Sequence, residues 1–204
     1  MSRLDLKKTL KDLYQPSAKA PAFVEVPELT YFMIDGVGDP NDNPSFEAAV
    51  QPLYALSFTL KFAQKKAGGE DYTVMPLEGL WWCEDMACFE VNDKSQWLWT
   101  LMIAQPVPPS AAEFAALQAQ TEQKKELPEV AKVRMEQFTE GRCAQIMHLG
   151  PYAEEGPTIA GLHAFIADSG YELSGKHHEI YLGDPRRVAP EKLKTVLRQP
   201  VRAR

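Results

Sequence analysis

Cysteine is scarce in this chain. Among 204 residues only Cys83, Cys88 and Cys143 are present, an odd number without metal-ligand spacing. No disulfide framework is implied, and the expectation is free thiols at Cys83 and Cys88 in a reduced, cytoplasmic setting. Long apolar runs are also lacking. No stretch approaches the roughly 18 residues that a membrane-spanning helix needs, and residues 1–13 interleave charges with leucines instead of forming a signal-peptide core. Positive charge is in deficit, with 22 Lys and Arg against 28 Asp and Glu for a net charge of −6. Direct binding of nucleic acid calls for a basic face, and only Arg186-Arg187 and the C-terminal end offer one. Histidine numbers four and forms no His-Glu-x-x-His motif. With no cysteine pair or carboxylate cluster either, no metal site is expected. Gly36 and Gly38 lack the rest of a dinucleotide fingerprint, and no nucleophile elbow occurs. The expectation is a chain without cofactor, metal or membrane anchor.

What is present is ordinary globular material, 45% hydrophobic and 25% charged, long enough for one sizeable core. Leu6, Leu10, Leu13 and Tyr14 form an amphipathic leader closed by Pro16. Strand-like stretches at 22–26 and 29–34 lead to Asp35-Gly36-Val37-Gly38 and a polar loop. Behind a Ser45 cap, Phe46, Val50, Leu53, Leu56 and Leu60 recur at helical spacing. Pro52 lies inside that helix, where proline costs about 3 kcal/mol, which predicts a kink or a late start. After Gly68-Gly69, the segments 72–82 and 97–103 are rich in β-branched and aromatic residues and read as strands. Ser110 with Glu113 is a capping box opening a helix to about Lys125. Strands follow at 133–138 and 142–148. A helix entered at Pro157 carries Ile159, Leu162, Phe165 and Ile166 and stops at Gly170. Strands at 177–182 and 194–200 flank a long hairpin loop.

Both halves thus repeat one order of elements. Thr100-Leu101-Met102-Ile103-Ala104-Gln105-Pro106-Val107 echoes Thr195-Val196-Leu197-Arg198-Gln199-Pro200-Val201 with one residue inserted, and Glu78 and Glu179 hold corresponding places. The reading is a single α+β domain over 1–204: a helical leader (1–20), a first repeat (21–107), a connecting helix (108–131) and a second repeat (132–204). Duplicated strand-helix-strand-strand units would form a largely antiparallel sheet, with helices on one face and a ligand trough on the other.

Glu179 lies in His177-His178-Glu179-Ile180-Tyr181-Leu182. Alternation groups His177, Glu179 and Tyr181 on one face and His178, Ile180 and Leu182 on the other. The apolar second set is assigned to the helix side, which aims Glu179 and Tyr181 at the trough. A carboxylate among aromatics in a partly dry cavity binds a cation or, with its pKa raised, accepts a proton. Glu78, beside Trp81 and Trp82, is the matching residue of the first half. Strict alternation groups it with Trp82, a bulge at Gly79 with Trp81, and both arrangements stay open. Trp97 and Trp99 share the next strand's face; some tryptophans are core and one or two line the pocket, so Trp81, Trp82 and Trp99 are carried as candidate ligand contacts. His148, at a strand end, fits a structural role better than that of a base, and Tyr152 offers a hydroxyl at the trough mouth.

Taken together these residues resemble the GyrI-like family, related to the effector-binding halves of AraC-type and multidrug-sensing transcription activators. The carriers are Lys11-Asp12-Leu13-Tyr14, Asp39-Pro40-Asn41, Pro76-Leu77-Glu78-Gly79-Leu80-Trp81, the segment from Ala144 to Tyr152 and that from His178 to Arg187. The resemblance implies the duplicated fold and a second-repeat glutamate in a central cavity, with Glu179 as its counterpart, meeting small aromatic or cationic molecules. It also implies a stand-alone form without a helix-turn-helix. The Leu-Glu-Gly-x-Trp signature is similar to that of proteins that hydrolyse the cyclopropane of DNA-alkylating natural products. The first expectation is therefore a small-molecule-binding protein whose ligands meet Glu179, Tyr181, His148, His177 and the tryptophans. The alternative is a cyclopropane hydrolase in which Glu179 or Glu78 handles the attacking water and Tyr152 or Tyr181 stabilises the developing phenolate. A third is a protein-binding module, as the family's name implies for DNA gyrase.

Overall fold

The computed structural model describes residues 3–84 and 94–204; Cys88 and Asp93 lie outside the described residues. The architecture is α+β and its sheets are antiparallel. Two compact units are present. The first holds Leu29–Leu77 and Trp81–Phe138 with the chain start up to Leu6, and the second Lys7–Glu28, Glu78–Leu80 and Thr139–Arg204.

The strands are β1 (Ala22–Val26), β2 (Leu29–Val37), β3 (Glu78–Trp82), β4 (Leu98–Ala104), β5 (Arg134–Phe138), β6 (Gly141–Leu149), β7 (Tyr171–Leu173), β8 (His177–Tyr181) and β9 (Lys194–Ala203). Within the first unit β2 pairs with β4 on one side and β5 on the other. In the second, β1, β6, β9 and β8 are successive neighbours and β7 joins β9 beyond the β8 ladder. The leading strands of the two sequence repeats have therefore exchanged places: β1 pairs with β6, and β5 with β2. The compact units and the sequence repeats do not coincide residue for residue.

Among the described residues the helices are α1 (Leu6–Thr9), α2 (Lys11–Tyr14), α3 (Pro44–Lys66), α4 (Ala111–Lys125) and α5 (Gly156–Asp168). The cap of α3 is Asn43 rather than Ser45; its Oδ1 accepts from the Ser45 N–H at 3.0 Å, and Pro44 takes the first turn. The late start expected from Pro52 does not occur, since α3 runs through it. Leu53, Leu56 and Leu60 are buried just beyond the proline and offset its roughly 3 kcal/mol cost. Ser110 and Glu113 form the expected capping box of α4.

In the second unit α5 lays Leu162 and Ile166 on Ala144, Ile146, Leu197 and Val201 of β6 and β9. Phe23 of β1 extends this core, its ring 5.0 Å from Phe165 and 4.9 Å from Tyr171. Cys83 is disulfide-bonded, which corrects the expectation of a free thiol there; an odd cysteine total carries no compositional sign of a bridge. Cys143 is free and buried. Among the described residues no helix is long and apolar enough to cross a membrane.

Candidate ligand site

The site grows from β8. Directly opposed residues of an antiparallel pair share a face. Glu179 opposes Leu197 and Tyr181 opposes Thr195. Leu197 packs beneath α5, so His177, Glu179 and Tyr181 stand on the helix-bearing face of this unit. The sequence assigned them to the opposite one. Ile180 and Leu182 suggested the helix side by their apolarity, but a different element meets the Ile180 face: in α2 the Leu13 carbonyl accepts from Arg198 and the Tyr14 hydroxyl donates to Glu78, the partner of His178.

On the α5 side the Tyr181 hydroxyl donates to Glu179 Oε2 at 2.8 Å. His177 Nε2 lies 3.5 Å from Glu179 Oε1, close enough to pair when the ring is protonated. Tyr152, from the turn ahead of α5, sets its ring edge-on to Tyr181 with centroids 5.5 Å apart and planes at 73°. The Glu179 side chain is 16% exposed, so it is largely enclosed yet not cut off from solvent, with Tyr181 bonded to it and Tyr152 against Tyr181.

A residue absent from the sequence reading completes the cluster. Glu155, at the head of α5, is 5% exposed, and its Oε1 is buried without a hydrogen-bond partner among the described residues. Burial first, and the Glu179 charge second, push its carboxyl up to about 8, with Thr195 acting the other way. Glu155 precedes Pro157 and reads in sequence as an exposed loop residue. The available signal was a carboxylate at the start of an apolar helix. His163 on α5 is held below its ordinary value by burial and then by His177.

His148 plays a structural part. Its Nε2 faces the Pro151 carbonyl at 3.3 Å and Nδ1 the Thr158 hydroxyl at 3.0 Å. A carbonyl only accepts, so the hydrogen sits on Nε2 and the Thr158 hydroxyl donates to Nδ1. The ring ties the end of β6 to the first turn of α5, which holds Glu155 and Tyr152 in place.

Glu78 does not join Glu179. β3 runs unbroken from Glu78 to Trp82, and Glu78 is fully buried toward His178, on the face opposite Glu179. There Oε1 accepts from the Tyr14 hydroxyl at 3.2 Å and Oε2 from His178 Nε2 at 3.0 Å. The other ring nitrogen, Nδ1, donates to Glu140 Oε2 at 2.9 Å, which also accepts from Arg198 Nη1 at 3.0 Å. Two carboxylates face one imidazole, so both ring nitrogens donate and the ring is cationic. Burial works against that charge, but Glu140 and then Glu78 raise His178 to about 8. For Glu140 burial pushes upward, yet His178 and Arg198 hold it down at about 2. Glu78 is thus committed inside the protein and has no free edge for a ligand or a water.

This cluster has a sign in pH. His178, raised above its unfolded value of about 6.5, stabilises the fold fully below that value and loses the contribution as pH rises through 8. Glu140, depressed, contributes fully above its unfolded value and loses it only as pH falls through about 2. Glu155, raised, adds a loss on the alkaline side in the same sense as His178. In thermal unfolding, Glu155→Gln removes the carboxyl's share and leaves His178 opposed only near pH 6, where the lowered His163 adds stability as pH rises. The variant's stability is expected to drop by on the order of 2 kcal/mol between pH 6 and pH 9; a flat profile there would show that His178 carries no fold-linked proton.

The tryptophans belong to the first unit. Phe46, in the first turn of α3, stacks on Trp81 at 5.9 Å and meets Trp99 edge-on at 5.2 Å. Trp81 also contacts Trp97 edge-on at 5.8 Å. Trp99 is 1% exposed and its Nε1 has no hydrogen-bond partner among the described residues, so it is core rather than a ligand contact. Trp81 is buried as well, and Trp82 is half-buried.

An open groove of about 710 Å³ also occurs in the second unit, between the N-terminal turns and β1, with Leu10, Lys11, Phe23 and Val24 in its lining. Neither Glu155 nor Glu179 reaches it. The groove is an open surface feature, whereas the orphaned carboxyl oxygen of Glu155 and the tyrosine-held carboxylate of Glu179 lie at the head of α5 and on β8.

Residues 19–202 match the model of the GyrI-like small molecule binding domain. No curated protein matches the chain. Among solved structures, an uncharacterized conserved protein from Listeria innocua is 39% identical, with 98% of this chain and 100% of that one covered and a TM-score of 0.91. A hydrolase from Listeria innocua is 38% identical over 98% of this chain and 100% of its own, TM-score 0.88. The C-terminal domain of EcmrR shares the fold at 12% identity, covering 90% of this chain and 98% of its own, TM-score 0.57.

Proposed function

The chain belongs to the family of GyrI-like small molecule binding domains, and from that premise we propose that it takes a flat, cationic or aromatic ligand at Glu179. The observation that carries this is the Tyr181–Glu179 pair, 2.8 Å apart, on the helix-bearing face with Tyr152 edge-on beside it. The hydroxyl fixes the carboxylate in advance, so little ordering cost falls on the ligand. The tyrosine rings supply cation–π attraction, worth about 0.5–2 kcal/mol per contact. Glu179 supplies a charge that selects cations.

Calorimetric titration with a panel of planar cations tests the reading. One or more should bind, and Glu179→Gln should weaken binding by about 10–100-fold, the worth of one charge-assisted contact. An unchanged affinity in that variant would move the site elsewhere, the groove beside β1 being the first place to look.

A hydrolytic reading is favoured by one observation, the likeness at 38% identity to a protein described as a hydrolase. Here Glu179 would position or deprotonate water and Tyr152 or Tyr181 would steady a developing phenolate. Glu78 drops out of this mechanism because His178 and Tyr14 enclose it. Turnover of a cyclopropane-bearing aromatic alkylator, lost in Glu179→Gln, would establish it.

A further inference from the structure

We propose that Glu155 and Glu179 hold one proton between them in the empty protein, and that a cationic ligand binds by displacing it. This rests on the reading of the Glu179 cluster as a cation site and gives that site a linkage to pH.

The geometry carries the argument. Glu155 is buried at the head of α5, and its Oε1 has no donor among the described residues. An ionised carboxylate in that position would be uncompensated, which costs several kcal/mol in a low-dielectric interior. The groups around it do not relieve this. From β8 come Glu179, its partner Tyr181, and His177, which lies against Glu179. From β9 comes Thr195, an uncharged hydroxyl. Tyr152 is committed to an edge contact with Tyr181. On β6, His148 is occupied by Thr158 and the Pro151 carbonyl. On α5, His163 is held toward its uncharged form. The buried guanidinium of β9, Arg198, serves Glu140, Gln145 and the Leu13 carbonyl on the opposite face. Among the described residues no cation is paired with Glu155, and the one ring beside Glu179, His177, is a cation only when protonated; two neighbouring carboxyls so placed cannot both ionise cheaply, and the more buried keeps the proton. The value of about 8 for Glu155 agrees with this.

A ligand cation supplies the missing charge. The carboxylic acid of Glu155 becomes a carboxylate, its proton passes to the buffer, and the bound cation balances the second negative charge. The protein gains one positive charge and loses one, so the exchange is neutral overall.

The experiment uses the full chain and ethidium, a planar cation that carries its charge at every working pH. Titration calorimetry at pH 7 in phosphate and in Tris separates binding heat from buffer protonation heat. The wild type is expected to release close to one proton per ethidium, and Glu155→Gln close to none while still binding. Across pH 6 to 7.5 the wild-type affinity should tighten by about tenfold per unit, then flatten above pH 8; this arm needs no variant. Binding with equal heats in both buffers and a flat pH profile would overturn the shared proton and leave the cation reading standing. Proton release undiminished in a folded Glu155→Gln would overturn the role of Glu155. Failure of ethidium and the other planar cations to bind at all would sink the cation reading itself, and the inference with it.

Discussion

Arg198→Met is expected to destabilise the protein by about 3–5 kcal/mol, read as a lower urea midpoint at an unchanged slope. Arg198 is 1% exposed. Its Nε donates to Gln145 Oε1 at 3.0 Å, Nη1 to Glu140 Oε2 at 3.0 Å and Nη2 to the Leu13 carbonyl at 2.8 Å. Methionine matches the stem but leaves Glu140 sharing a single cation, His178, with Glu78. It also strands the Leu13 carbonyl and Gln145 Oε1 without their donor, each at about 1–3 kcal/mol if buried and unpaired. The control is Arg142, whose Nη1 lies 2.7 Å from Glu25 Oε1 with both side chains well exposed. Arg142→Met should cost about 1–2 kcal/mol, because its solvated pair gains little and loses side-chain entropy, while its guanidinium over the Phe23 and Tyr171 rings adds a modest cation–π share. Near-equal losses in the two variants would refute the idea that burial of the Arg198 cluster, rather than ion pairing as such, holds the leader against β8 and β9.

That cluster also marks where local sequence information ends. The α4 capping box and the strands around Ile146 and Val196 are set by neighbours in the chain, and they were readable there. So was the family, whose carriers are contiguous segments. The pairing partners of β1 and β5 were not, because Ala22–Val26 has no local feature that prefers β6 over β2; the choice is made by register and by Phe23 fitting against Phe165 and Tyr171. Alternation correctly divided His178 from Glu179, but it cannot say which face a helix will cover. That decision rested on the leader, where Leu13 and Tyr14 bring apolar cover to the His178 side and so release the Glu179 side for α5. Glu78 looked like the twin of Glu179 by position in the repeat, yet its environment is set by Tyr14 and His178, 64 and 100 residues away. Glu155 was missed because its one cue, a carboxylate at the head of an apolar helix, does not distinguish a solvated side chain from a buried one in Ala153-Glu154-Glu155-Gly156-Pro157.

Gly36 shows the same dependence on distant residues, and it yields the other large expected effect. In sequence it was a glycine to be discounted as a phosphate loop. In the fold it opposes Trp99 across β2 and β4, and a Cβ there would lie 2.1 Å from Trp99 Cη2 and Cζ2. The indole lies across the glycine, with Phe46 edge-on at 5.2 Å, so the ring has little room to retreat. Gly36→Val favours the strand intrinsically by up to about 1 kcal/mol, yet it is expected to destabilise by about 3 kcal/mol or more, because a β-branched side chain must displace a close-packed ring. The cause is separable by a double-mutant cycle. Trp99→Leu alone should cost about 3 kcal/mol through the cavity it leaves, but combined with Gly36→Val the losses should fall well short of additive, since the valine then fills part of the space the indole vacated. Strict additivity would mean that Gly36 is required for its backbone alone, and that the Trp99 ring does not depend on the bare α-carbon beneath it.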